Sequence, residues 1–146
     1  MKPIKGFQGE YRWLSNFWPV TIFYEGIIYP STEHAYQAAK TLNNQDRFII
    51  SNMLSPGRAK KAAKDLVLRS NWDLIKINVM LEIVREKFRN EYLRQKLLNT
   101  GNAYLEETNT WGDKFWGVCN EEGLNFLGFI LMLVRHKIRE KERKKQ

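Results

Sequence analysis

Glu33, Tyr36, Gln37 and Lys40 stand at i, i+3, i+4 and i+7 within the segment STEHAYQAAKTL. At 100° per residue they share one face of a helix, and Ala35, Ala38, Ala39 and Leu42 share the other. A carboxylate, an amide and an amine therefore line up on one side, while small residues permit close packing opposite. Such a row suits acid/base catalysis. A helix whose polar stripe merely faces water shows the same pattern, and the segment alone does not separate the two.

Three further clusters carry polar groups among aromatic rings. In GEYRWLSNFWP, Arg12 offers a planar donor fork suited to phosphate. Ser15 and Asn16 sit among Tyr11, Trp13, Leu14, Phe17 and Trp18, so once buried they need partners: the backbone of a turn, or a sugar or phosphate. In LEETNTWGDKFWG, Glu106, Glu107 and Asp113 accompany Trp111 and Trp116. Two carboxylates beside a sugar can act as acid and base, and a tryptophan can stack on a flat base; a solvated acidic turn has the same composition. Asn125 opens the apolar run GLNFLGFILMLVR, where it either reaches into a site or caps a helix, and the local sequence favours capping.

Phosphate-loop, dinucleotide, HExxH, EF-hand and nucleophile-elbow patterns are absent, so the sequence suggests no metal and no cofactor. His34 and His136 stand alone, and the single Cys119 is expected to be a buried, inert thiol.

The elements that must hold these groups can be placed in outline. Val20–Tyr24 and Ile27–Tyr29 flank Glu25-Gly26 as a hairpin. Ser31 or Thr32 caps a helix running to about Leu42. Further helices are expected over Asp46–Leu54 and Pro56–Leu68, the latter with Ser55 as cap and proline in its first turn. A long helix starts at Trp72 after Asn71, breaks near Asn90 and resumes to Leu98 before Thr100-Gly101. Residues 103–119 read as short strands and turns, and a last helix runs from about Leu124 into the basic end. The expected class is α+β: a mostly helical single domain with a small antiparallel sheet.

The chain has 146 residues, 43% hydrophobic and 13% aromatic, enough to build one core. Much of the formal charge of +8 lies in residues 135–146, which hold seven Lys and Arg against two Glu. The expected division is a domain over residues 1–135 and a basic helix end or solvated tail over 136–146. A weak attraction to nucleic acid is the most the tail implies. With no leader pattern and no apolar run long enough to span a bilayer, no membrane partner is expected and the cytoplasm is the expected location. The oligomeric state is not legible.

Five blocks in order, FQGEYRWLSNFWP, YPSTEHAYQAAK, NWDLIKINVMLEIVREKF, TGNAYLEETNTWGDKFWG and GLNFLGFILMLVR, resemble the YbiA-like or NADAR family over about residues 6–135. The resemblance implies a compact α+β fold and cleavage of N-glycosidic bonds. The expected substrates are ribosylamino-pyrimidine 5′-phosphate intermediates of riboflavin synthesis, small-molecule ribosyl phosphates. Carried over by block, Glu33, Lys40 and Asp113 are the implied catalytic residues. Arg12, Ser15, Asn16, Trp72, Glu107, Trp116 and Asn125 are the implied substrate-binding residues, and Met80 matches the central helix. Glu106 departs from the aliphatic residue common there, and residues 109–112 look like an insertion.

The resemblance further implies Glu33 in acid/base work and Lys40 as an amine that forms a Schiff base at C1′. Glu33 by itself would raise the pKa of Lys40, so desolvation or another cation must lower it. The rival readings are removal of ADP-ribose from guanine in nucleic acid, a non-catalytic module for ADP-ribose-like ligands, and a basic helical nucleic-acid binder.

Overall fold

The computed structural model describes residues 1–146. In chain order the elements are β1 (Ile4–Lys5), a 3₁₀ turn (Gly9–Leu14), β2 (Pro19–Tyr24), β3 (Ile27–Ser31), α1 (Thr32–Ala38), α2 (Asn44–Ser51), α3 (Pro56–Ala62), a 3₁₀ turn (Ala63–Asp65), α4 (Trp72–Lys87), α5 (Glu91–Asn99), β4 (Leu105–Glu106) and α6 (Phe126–Lys144). Small polar residues set several helix starts. The side-chain oxygens of Ser31, Asn43, Ser55 and Asn90 accept from the backbone N–H three residues on, in His34, Asp46, Arg58 and Leu93, at 2.9–3.1 Å. Pro56 occupies the first turn of α3, where its missing donor is no loss. No helix is long and apolar enough to cross a membrane.

The chain forms two compact units, one of residues 16–87 and one of residues 1–15 with 88–146. In the first, β2 and β3 pair antiparallel, with Ile22 opposite Tyr29 and Tyr24 opposite Ile27. Glu25 and Gly26 turn the hairpin at φ of 46° and 87°, the left-handed pair that matches strand twist. Ile22, Tyr24 and Tyr29 point inward, and α1 packs on β3, α2, α3 and α4. Ala35, Ala38 and Ala39 are fully buried, as the alanine face of α1 predicts.

Helix α1 stops four residues earlier than its sequence pattern suggests. The N–H groups of Lys40 and Thr41 bond back three residues, to Gln37 and Ala38, and the Lys40 carbonyl accepts from Arg69 N–H at 2.9 Å. This tightening ends the helix, and Leu42 lies 67% exposed instead of on the packing face. Helix α2 also stops short of Leu54, at Ser51, and α3 gives way to its 3₁₀ turn well before Leu68.

In the other unit a second ladder appears that residue pattern did not indicate. β1 pairs parallel with β4, Ile4 opposite Leu105. Helix α6 lies on β4, and Gly128 makes that approach possible: a Cβ there would overlap the Leu105 carbonyl and the Asn125 amide.

Helix α6 runs unbroken past residue 135 to Lys144. Its basic residues are not all solvated. Arg135 is buried and donates to Thr100 Oγ1 at 2.8 Å and to the Ala103 carbonyl at 2.9 Å. Arg139 donates to Asn102 Oδ1 at 2.9 Å and to the Gly101 carbonyl. Two arginines of the basic run thus fasten α6 to the turn that ends α5, where carbonyls gather and a cation is favoured.

Candidate functional site

Within residues 16–87 the polar face of α1 is not solvated. Glu33, Tyr36 and Gln37 are 7%, 6% and 4% exposed, which overturns the reading of a wet stripe. Buried carboxylates and amides need partners. Here Gln37 Nε2 donates to Glu33 Oε1 at 2.8 Å, the i, i+4 spacing of the sequence made into a bond. The Glu33 backbone N–H donates to the Asn16 carbonyl at 3.0 Å, and Asn16 Nδ2 lies 3.7 Å from Met80 Sδ.

Tyr36 joins this face to α4. Its ring centroid lies 5.3 Å from that of Trp72, tilted by 54°, and Lys40 Nζ sits 5.4 Å from the Tyr36 centroid. Burial pushes the Lys40 ammonium below the ordinary lysine value. Glu33 opposes that shift, while Lys60 and Lys76 reinforce it. The sequence required some influence beyond Glu33 to free this amine. Desolvation is the largest, and two lysines on α3 and α4 add to it. Lys76 also contacts Asp73 Oδ1 at 3.2 Å.

Lys60 and Lys76 were not singled out from the sequence. Lys76 follows Trp72 by one turn of α4, so helical spacing was a usable signal. Lys60 acts on Lys40 only because α3 packs on α1, and no local signal carries that.

His34 does not stand alone. Its Nδ1 lies 2.7 Å from Ser31 Oγ and its Nε2 3.0 Å from the Met53 carbonyl. The carbonyl can only accept, so Nε2 carries the proton and Nδ1 accepts from the serine hydroxyl. The ring ties the start of α1 to the turn that follows α2.

The remaining expected site residues belong to the other unit. Arg12 is exposed, and its carbonyl accepts from the N–H of half-buried Ser15 at 3.0 Å. Asp113 Oδ1 accepts from the N–H groups of Phe115 and Trp116 at 3.1 and 2.9 Å, and Asn109 clasps its backbone from both sides. One carboxylate oxygen therefore holds the turn leading into Trp116, whose ring stands edge-on to Phe115 at 4.8 Å.

Asn125 is 1% exposed with φ of 54° and makes no side-chain cap to α6. The capping role is replaced by a bridge: Nδ2 donates to the Leu105 carbonyl at 2.9 Å and to the Tyr104 hydroxyl at 3.1 Å, and Oδ1 accepts from Glu107 N–H at 3.0 Å. Cys119 is buried. The same unit holds a cavity of about 460 Å³ walled by Tyr11, Trp13, Lys96 and Asn99, none of them an expected site residue.

The α+β scaffold thus holds a buried carboxylate, Glu33, on α1 and a half-buried amine, Lys40, just past the end of that helix. Residues 5–139 match the family model described as the NADAR domain, and the chain belongs to the NADAR family. It is 38% identical to an N-glycosidase of Nostoc punctiforme over 136 residues, 88% of this chain and 86% of that protein. It is 36% identical to N-glycosidase YbiA of Escherichia coli over 135 residues, 88% of this chain and 82% of that protein. A riboflavin biosynthesis protein of Vibrio vulnificus is 38% identical over 143 residues, covering 90% of this chain but 36% of that longer protein. The NMR structure of Escherichia coli YbiA superposes with a TM-score of 0.86 at 33% identity, covering 97% of this chain and 87% of that one.

Proposed function

We propose that this chain hydrolyses the C–N bond of ribosylamino-pyrimidine 5′-phosphates, intermediates of riboflavin synthesis, with Glu33 and Lys40 carrying the chemistry. The chain is a hydrolase of N-glycosyl compounds, in keeping with relatives named as N-glycosidases that it matches along most of its length. A relative named as a riboflavin biosynthesis protein supports the choice of a small riboflavin-pathway substrate. The observation that carries the residue assignment is the buried Glu33–Gln37 pair on the helix face that leads to Lys40, whose ammonium burial disfavours.

The proposed sequence begins with ring opening of the ribosylamine, which leaves C1′ as an imine to the departing amine. The free amine of Lys40 adds to C1′, and Glu33, as the acid, hands a proton to the departing nitrogen. The base leaves as a neutral amine, and the sugar remains joined to Lys40 as a Schiff base. Water adds to C1′ with Glu33 as base, the C–N bond to Lys40 breaks, and the aldehyde sugar leaves with the lysine amine restored. Desolvation lowers the pH at which the Lys40 amine becomes available relative to an ordinary lysine. Trp72 is the proposed stacking partner of the base, and Asn16 supports the segment facing Glu33.

The test compares Lys40→Ala and Glu33→Gln with wild type on a ribosylamino-pyrimidine 5′-phosphate. Loss of turnover in both is expected. Borohydride should trap an enzyme–sugar adduct in wild type and none in Lys40→Ala. Wild-type rates in both folded variants would remove the assignment. The same assay on Arg12→Ala and Trp116→Ala tests the phosphate-anchoring and base-stacking roles that the resemblance implies for them.

A further inference from the structure

Within residues 16–87 the ammonium groups of Lys40, Lys60 and Lys76 converge from three elements. The Arg69 N–H donates to the Lys40 carbonyl at 2.9 Å, which fastens the chain between α3 and α4 against the end of α1. Tyr36 meets Trp72 ring to ring at 5.3 Å, and Lys40 Nζ rests 5.4 Å from the Tyr36 centroid. Lys76 stands one turn after Trp72 on the same side of α4. Lys60 stands on α3, which packs against α1. Both lie near enough to act on the Lys40 ammonium as like charges. Lys60 is exposed and the Lys76 side chain is 24% exposed, so a solute can reach them. Lys76 Nζ lies 3.2 Å from Asp73 Oδ1, but the Asp73 side chain is 90% exposed, and an ion pair so open to water is weak and replaceable. The buried carboxylate of the group, Glu33, is engaged by Gln37. Like charges held close repel one another, and a dianion bound beside them relieves that repulsion.

We infer that Lys60 and Lys76 bind the 5′-phosphate of the substrate and select phosphorylated ribosyl compounds over their unphosphorylated forms. The inference deepens the function proposed above and rests on it, because it takes C1′ to be brought to Lys40. It gives to lysines of α3 and α4 the task that the family resemblance gives to Arg12. A lysine holds phosphate as a point charge, so two of them need no planar fork. The reacting carbon and the phosphate stand at opposite ends of the sugar. The anchor must therefore lie near the nucleophile but not on it, as the neighbouring turns of two packed helices do. Binding at that remote group aids turnover by holding C1′ against the Lys40 amine. The bound phosphate offsets the effect of the two ammonium groups on Lys40, whereas desolvation, the largest cause of its lowered pKa, remains.

The experiment measures kcat/KM of wild type, Lys60→Met, Lys76→Met and the double variant on a ribosylamino-pyrimidine 5′-phosphate and on the same compound without its phosphate. Binding of ribose 5-phosphate and of ribose is measured alongside by calorimetry. Methionine keeps the apolar stem and removes the charge. Removing either ammonium also shifts Lys40, but that effect falls on both substrates alike, whereas a lost phosphate contact falls only on the phosphorylated one. The expected result is that wild type prefers the phosphorylated substrate by about a hundredfold, that each single variant loses roughly tenfold of that preference, and that the double variant keeps less than about threefold. A double variant that slows on both substrates with the preference retained overturns the inference. So does a preference that collapses in Arg12→Ala and survives in the lysine variants. So does a wild-type protein with no preference for the phosphate in turnover or in binding, which needs no variant to fold. If wild type turns over neither substrate but binds ribose 5-phosphate over ribose, and the double variant loses that preference, the proposed reaction fails while the phosphate subsite stands.

Discussion

Replacing Asn125 tests whether that residue serves the fold or the ligand. Its amide makes three contacts, to the Leu105 carbonyl, the Tyr104 hydroxyl and the Glu107 N–H, at 2.9–3.1 Å and 1% exposure. Each such bond contributes about 1 kcal/mol net, and more where the abandoned partner stays buried. The backbone adds a further cost, because φ of 54° is left-handed, a conformation that asparagine adopts readily and alanine adopts at about 1–2 kcal/mol. Asn125→Ala should therefore lower unfolding stability by about 3–5 kcal/mol, a large part of what a domain of this size has. Asn125→Gly relieves the backbone and loses only the bonds, so it should cost about 1 kcal/mol less than alanine. Urea unfolding of the three proteins, followed by tryptophan fluorescence, gives both differences. In material still folded at low temperature, kcat/KM should stay within about threefold of wild type. A variant of wild-type stability with activity lost would refute the reasoning and return Asn125 to the ligand.

Three more outcomes follow from the packing. Burial holds the His34 imidazole below its ordinary value, with the Met53 carbonyl opposing. The unfolded chain therefore takes up that proton first, near pH ~6.5. Stability is complete above that pH and declines as pH falls below it, and urea midpoints measured from pH 8 to pH 5 should show the decline, with a shallower slope in His34→Gln. Lys60 and Lys76 both lower the Lys40 pKa, so Lys60→Gln with Lys76→Gln should move the acid limb of the kcat/KM profile to higher pH; an unmoved limb would show that Lys40 does not titrate in it. Arg135→Ala breaks two buried bonds and should cost about 2–4 kcal/mol, whereas exposed Lys141→Ala or Lys144→Ala should stay within about 0.5 kcal/mol by thermal unfolding.

Much of the local structure was written in residue order. The hairpin at Glu25-Gly26, the capping residues Ser31 and Ser55, and the break at Asn90 all depend on neighbours within four positions, and backbone sterics with short side-chain hydrogen bonds decide them there. The same holds for the common face of Glu33, Tyr36 and Gln37, which is helix geometry alone, whereas Lys40 lies past the end of α1. Whether that face is wet or buried depends on Trp72, Met80 and the helices α2 to α4 closing over it, and periodicity records which residues share a side but not what covers them. The parallel pairing of Ile4 with Leu105 spans a two-residue strand too short to have a pattern. The bridge made by Asn125 and the fastening of α6 by Arg135 and Arg139 join residues 18 to 38 positions apart. Burial, and with it the reactivity of Lys40, is a property of what surrounds a side chain; only the folded chain supplies those surroundings.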